Sequence, residues 1–598
     1  MSLTGKTINQ LNSGDISLDG LIPFWGSGAT YNTPVSGITS LVETPIIVSG
    51  SGSYSSSRRD VGNTSSGDYS VALGGSGNTS SSNFSTVVGG CCNTASASSS
   101  FVGGGGNNTA SGNCSFIGGG GGNTASGESS FIGGGGSNTA SGIRSFIGGG
   151  NVNTTSGNNS FIGSGGFGNV TSGRSSFIGN GGYNTSSGYY SFIGGGRCNI
   201  SSGCYSFVGS GGGFIQFPFE RLSNVSCGCL SVIVGGGGQT SSNIGSFVGG
   251  GLFNTASGEY SFVGGGGGLY FGYKGGNTAS GCGSSVVGGS NNTASGYCSL
   301  VVGGFGNISS YSYSSVVGGG NNTASGLGSF IGSGNFNTTS GITSSVVNGQ
   351  YNLASGDNSF VGGGRGNTAS GYFSFIGGGN CNTASGTYSF IGGGCKNDAS
   401  CTSSFVGGGE CNISSGLCSV VVGGFCNTSQ KNCSTIVGGS YNNICGIALL
   451  GRNSVIVGGK LNTISGIYSF IGGGLCNIIG SGGSNVVTGG LCNSNSGFYS
   501  LIGGGRNNSV LSGRYSIIDG GTFNKTNARF SFIGGGNTNT IQSPTNECCS
   551  LGATIVGGIG HNSSGGTIST TTGTITGTII PLDAGKLSFI GGGQRNCA

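Results

Sequence analysis

The chain has 598 residues, of which 143 are Gly, only 6 are Pro and 6% are charged, with a formal net charge of +5. Scarce Pro and the lack of a three-residue glycine period exclude collagen, and the fixed recurrence of Val, Ile and Phe excludes a disordered chain. The 19 basic and 14 acidic residues are spread thinly, which leaves no basic stripe for nucleic acid and no acidic tail.

Residues 1–48 differ from the rest of the chain. They show apolar alternation and hold the single Trp, Trp25. The first residues lack the charged-then-apolar profile of a signal peptide, and no stretch approaches 18 apolar residues. The sequence thus predicts synthesis in a host cytoplasm and no membrane insertion. The runs Asp19-Gly20-Leu21-Ile22-Pro23 and Thr30-Tyr31 followed by Val35-Ser36-Gly37-Ile38 resemble the short N-terminal segments of phage tail and fibre proteins. That resemblance implies attachment to other virion proteins, with Leu21, Ile22, Pro23, Phe24, Trp25 and Tyr31 as candidate contacts. A module that only shields the first coil of the next segment is the alternative.

Residues 49–550 are governed by a 15-residue period. A Ser preceding an apolar pair recurs at Ser100, Ser115, Ser130, Ser145 and Ser160, and again from Ser314 to Ser434, with single-residue slips elsewhere. One unit, from Ser115, reads SFIGGGGGNTASGES. Fixed-period self-similarity predicts a solenoid, and the glycines in every unit exclude helix. The apolar pair is short strand material whose two side chains point to opposite faces. Ile117, Ile132 and Ile147 can line the interior, and Phe116, Phe131 and Phe146 then need a second apolar environment. The glycine run supplies a turn with φ > 0. Asn108, Asn123, Asn138 and Asn153 fall one coil apart, where side-chain amides can form a ladder. Thr-Ala-Ser is read as a second short strand with its small residue inward. The expected fold is an all-β β-solenoid of about thirty coils, roughly 150 Å long at about 4.8 Å per coil. So thin a core calls for oligomerisation.

The unit NTASGxxSFIGGG resembles the head repeats of trimeric autotransporter adhesins (YadA-like heads), in which a short S-x-A-x-G unit recurs about every fourteen residues. The repeats also resemble arrays in bacterial surface proteins and in phage and virus fibre proteins. The resemblance implies left-handed parallel β-rolls, three chains about one axis. The 15-residue period, the Phe-rich first strand and the many Cys depart from that family, and no stalk or membrane anchor is recognisable.

Two insertions interrupt the array near residues 210–230 and 265–277. The first carries Phe214, Phe217, Phe219, Glu220 and Arg221; the second carries Tyr270, Phe271, Tyr273 and Lys274. Insertions in a solenoid map to loops on one face, and aromatics beside a charge suit a sugar ring or a protein partner. The same loops could instead only lock neighbouring subunits. Residues 551–598 read as an irregular Thr-rich distal end that finishes in one last SFIGGG.

Chemistry finds little footing. The 22 Cys show no ligand spacing for zinc, so no metal and no cofactor is predicted, and they are read as reduced, small apolar fillers. His561, the single His, lacks partners placed for a Ser-His-Asp arrangement, and the carboxylates are scattered. The prediction is a non-enzymatic, homotrimeric virion or tail fibre that presents or spaces a surface for a host glycan or protein. The alternatives are a polysaccharide depolymerase working between chains and a self-assembling extracellular filament or adhesin. An ice-binding array fits poorly, because its Thr column is broken by Val170, Ile200, Leu353 and Asp398.

Overall fold

A computed structural model describes residues 22–26, 29–33, 47–58, 62–164, 166–216, 219–270, 273–446, 453–542, 552–561, 567–568, 575–576 and 588–596. The chain forms two compact units, Met1–Gly245 and Ser246–Ala598. Both are built from the same coil. The fold is an all-β parallel solenoid of about 31 turns of about 15 residues, without helix among the described residues.

Each coil contributes two strands of two residues to two separate parallel sheets. In the first unit, Phe116–Ile117 pairs with Phe101–Val102 below and Phe131–Ile132 above. Thr124–Ala125 pairs in the same way with Thr109–Ala110 and Thr139–Ala140. A third ladder of single-residue parallel bridges, from Gly106 to Gly121 to Gly136, runs through the glycine turn. In the second unit, Phe375–Ile376 and Thr383–Ala384 are held by the same registers. Strands of two residues suffice because the coils above and below also hold the turns. The Gly121 N–H donates to the Gly135 carbonyl at 2.8 Å, and that of Ser129 to the Asn113 carbonyl at 2.7 Å.

Alternation within each strand decides what is core. Ile117 and Ala125 are fully buried, while Phe116 and Thr124 are half-buried on the outside. A large residue from one sheet therefore meets a small one from the other, and the interior is thin. Three positions per coil take positive φ. Only one of them, Gly120 in this coil (φ +92°), is held by glycine throughout the regular coils. The other two precede the Ser and the Asn and accept any residue, as Arg144 (φ 53°) and Val152 (φ 57°) show. The expectation that glycine supplies the left-handed turn is thus met at one position of three. At the other two, the bonds between coils hold side-chain-bearing residues in a conformation that costs each about 1–2 kcal/mol.

The outer face of the first sheet follows a rule of its own. Wherever the first residue of the strand is Phe, the third residue is Gly, as in Phe116-Ile117-Gly118 and Phe375-Ile376-Gly377. From Thr86 onward, where the first residue is small, the third is an outward Val, as in Ser285-Val286-Val287, Ser315-Val316-Val317 and Ser345-Val346-Val347. The reason is steric. A Cβ on Gly118 would lie 2.3 Å from the Gly133 carbonyl oxygen, with Cε1 of Phe116 only in ordinary contact at 3.5 Å, so the backbone of the next coil bars a side chain there.

Coils from Ser454 to Ser516 differ. Their inward positions in the second sheet include Ile464, Ile479, Asn495 and Val510 in place of Ala, and two of the steps lengthen to 16 residues, as from Phe470 to Val486. A second polar ladder appears there. The Ser469 N–H donates to Ser454 Oγ at 3.3 Å, and that of Ser500 to Asn485 Oδ1 at 3.1 Å.

Towards the distal end the parallel register is found again. Thr554–Ile555 pairs with Phe532–Ile533 on one side and Phe589–Ile590 on the other. Residues 552–561, within the Thr-rich distal segment, form part of a coil. At the other end, the strand Ile47–Ser49 pairs antiparallel with Ser56–Arg58, which then begins the parallel ladder.

Candidate functional site

Both insertions emerge as hairpins at the same column of the coil, just after the bridge residue of the glycine turn and before the Asn. In the first unit Gly213–Gln216 pairs antiparallel with Phe219–Leu222, which sets Phe214 opposite Arg221, Ile215 opposite Glu220 and Gln216 opposite Phe219. Arg221 is exposed. Phe217 lies outside the described residues. In the second unit Leu269–Tyr270 pairs with Tyr273–Lys274, with Tyr270 opposite Tyr273. Tyr273 is 78% exposed. The Lys274 ammonium stands 5.0 Å from the Phe253 ring centre, so a cation–π contact holds the hairpin foot against its own coil. Phe271 lies outside the described residues.

The N-terminal candidates fall on a hairpin of Ile22–Gly26 with Ala29–Thr33. Phe24 is opposite Tyr31, and Trp25 opposite Thr30. Ile22 and Pro23 occupy the same strand; Leu21 lies outside the described residues.

The Asn column forms a ladder, with a geometry richer than amide stacking. Each Oδ1 accepts the backbone N–H of the next Asn, as Asn108 does from Asn123 at 3.0 Å and Asn138 from Asn153 at 2.9 Å. Each Nδ2 donates to two carbonyls, for Asn123 those of Gly119 in its own coil and Gly135 in the next, both at 3.0 Å. Direct amide-to-amide bonds occur only in places, such as Asn169 to Asn153 at 3.1 Å. The first hairpin breaks the ladder: Asn199 Oδ1 is buried without a partner. The second does not, since the Asn277 N–H still reaches Asn254 Oδ1 at 2.8 Å. His561, the single His and so the one base a Ser-His-Asp arrangement could use, takes the place of Asn in this column. Its N–H donates to Asn539 Oδ1 at 2.9 Å, and its Nδ1 accepts the N–H of Asn596 at 2.9 Å. It is fully buried, and its Nε2 has no hydrogen-bond partner among the described residues.

The cysteines are not fillers. Among the described ones only Cys198 is buried, and most occupy outward turn positions. Cys411 and Cys426 do share a column, as do Cys418 and Cys433, at the two positive-φ positions. Cys91 and Cys92 bring their sulfurs to 3.1 Å, and the hydrogen bond from Cys92 lowers the Cys91 pKa from its ordinary value. Sequence reasoning missed the outward placement because the conformation that turns these residues outward leaves no mark on composition.

Two charged groups are out of place in the coil. Asp398 stands in the Thr column, one Oδ without a hydrogen-bond partner, and burial raises its pKa. Lys431 replaces the glycine of the Thr–Ala–Ser turn and is buried. Its ammonium donates to the Ser465 carbonyl at 2.6 Å, and burial lowers its pKa.

Among the described residues, no group of three or more His, Cys, Asp or Glu could hold a metal ion, and no helix is long and apolar enough to cross a membrane. The chain matches no known protein family and no curated protein.

Proposed function

We propose that this chain is a structural fibre subunit, a homotrimeric virion or tail fibre that spaces or presents a surface for a host glycan or protein. One observation carries the reading: the outer face of the first sheet is kept apolar coil after coil. In the first unit eight Phe rings, Phe101 to Phe207, stack in register, neighbouring centres 4.7–5.0 Å apart. In the second, Phe360, Phe375, Phe390 and Phe405 do the same at 5.0 Å. Water imposes no such uniformity on a surface. The Phe–Gly and Ser–Val exchange preserves an apolar patch by two different means, as packing against a neighbour would require. Extended apolar surface of this kind marks an interface. The N-terminal hairpin then serves attachment to other virion proteins, and the two inserted hairpins serve host contact or subunit locking.

The test is a variant with Phe131→Glu, Phe146→Glu and Phe161→Glu, compared with wild type by sedimentation. These rings are outside the core, so each chain should still fold, checked by an unchanged β-type circular dichroism spectrum. A trimeric wild type with a dissociated variant supports the proposal. Equal sedimentation of the two would refute it.

A further inference from the structure

We propose that a groove on the first unit, between Arg144 and Tyr189, binds an acidic carbohydrate. The cavity measures about 580 Å³ and is lined by, among others, Arg144, Asn158, Asn159, Arg174 and Tyr189. These residues belong to two adjacent columns of the turn that leads into the Phe–Ile strand. Asn158, Arg174 and Tyr189 succeed one another in one column, and Arg144 and Asn159 in its neighbour.

The chemistry of the lining is one-sided. Neither guanidinium has a hydrogen-bond or ion-pair partner among the described residues. Between residues 69 and 219 the chain holds a single acid, Glu128, against Arg144, Arg174 and Arg197. Glu128 meets Arg144 through its backbone carbonyl, which accepts the Arg144 N–H at 2.7 Å. Arg144 sits at a positive-φ position (φ 53°) of an exposed turn. Its coil and that of Arg174 are two steps apart, roughly 10 Å along the stack. Two planar, permanently charged forks at that separation suit two carboxylate or sulfate groups on one oligosaccharide better than a single small anion.

The remaining lining residues fit the sugar itself. Asn158 Oδ1 accepts the Ile143 N–H at 3.1 Å, which leaves its amide hydrogens for ligand hydroxyls. Tyr189 is 52% exposed at the far end. Its ring centre is 6.3 Å from that of Tyr190, which in turn stacks on Tyr205 at 5.1 Å. This gives a braced aromatic plate for the apolar face of a pyranose ring. The groove is separate from both hairpins, and the proposal does not rest on the trimer.

The experiment uses the full chain and three probes of equal length: an oligogalacturonate, a dextran sulfate oligosaccharide and neutral dextran. Affinity is measured by fluorescence polarisation at low and moderate salt. The expected result is binding of at least one acidic probe, weakened by salt, and none of neutral dextran. The preferred acidic probe identifies the anion as carboxylate or sulfate. R144Q/R174Q should lose tenfold or more in affinity, and Tyr189→Ala severalfold. R197Q, whose guanidinium sits over Tyr183 at 5.3 Å, should bind as wild type does. All four positions are on the surface, and an unchanged circular dichroism spectrum confirms the coil in each variant. Equal acidic-probe binding by R144Q/R174Q overturns the proposal. So does binding of neutral dextran as tight as that of the acids, or tighter binding of a single-stranded DNA of equal charge.

Discussion

At the residue scale, two neighbouring glycines of one run do different work. A Cβ on Gly119 would meet nothing within 4 Å, whereas one on Gly120, at φ +92°, would lie 2.0 Å from the Gly135 carbonyl oxygen. Gly119→Ala is expected to change stability by less than about 0.5 kcal/mol, and Gly120→Ala to cost more than about 3 kcal/mol. Paired urea titrations check both, and equal effects would contradict the assigned turn. Asp398 offers a second test. Its folded pKa is raised by burial, so above the unfolded value of about 4 the folded state holds the proton longer than the unfolded one. Its contribution is thus most favourable below about pH 4 and is lost as pH rises through the folded pKa. Asp398→Thr should therefore raise the urea midpoint at pH 7 and have little effect at pH 3; an equal gain at both would remove the electrostatic cause. Sequence alone made the Ile and Ala columns readable as core, because alternation is a property of neighbours in the chain. It could not reveal that Arg144 and Val152 take left-handed backbone, because bonds to adjacent coils impose that conformation against intrinsic preference.

At the element scale, the Asn ladder is the interior polar spine of each unit. One amide satisfies a backbone N–H and two carbonyls that the thin core would otherwise strand. Asn123→Leu removes all of these at once and is expected to destabilise by roughly 3 kcal/mol or more. In a stack whose coils contact only their neighbours, the damage should stay local. Hydrogen exchange should quicken in the coils next to residue 123 and remain slow near Asn382. Uniform loss of protection along the chain would argue against nearest-neighbour energetics. The ladder's existence was legible in the fixed spacing of Asn108, Asn123, Asn138 and Asn153. Its bonding was not, because the carbonyl partners lie in glycine turns whose geometry the period does not specify. The hairpins were legible as interruptions, and their common point of entry became clear only once the coil was closed. The Arg144–Arg174 groove escaped sequence reading altogether, since residues 30 apart meet only through the coil's own pitch.

At the scale of the whole molecule, a repeat this regular puts stability into many small, equal increments. What remains unsatisfied within one chain is the outer Phe and Val face. Every coil from Val71 onward places at least one apolar residue there, and burying a half-exposed ring is worth about 1 kcal/mol or more per coil. Multiplied along a unit, that is ample to hold chains together without any strong single contact. The measurement that bears on this most directly is the mass of the purified full chain in solution, by light scattering with and without reductant. The expected value is close to three times 57.9 kDa under both conditions, because the proposed interface is apolar and not built from disulfides. A monomer of 57.9 kDa under both conditions would contradict the fibre account and leave the uniform apolar face without a cause.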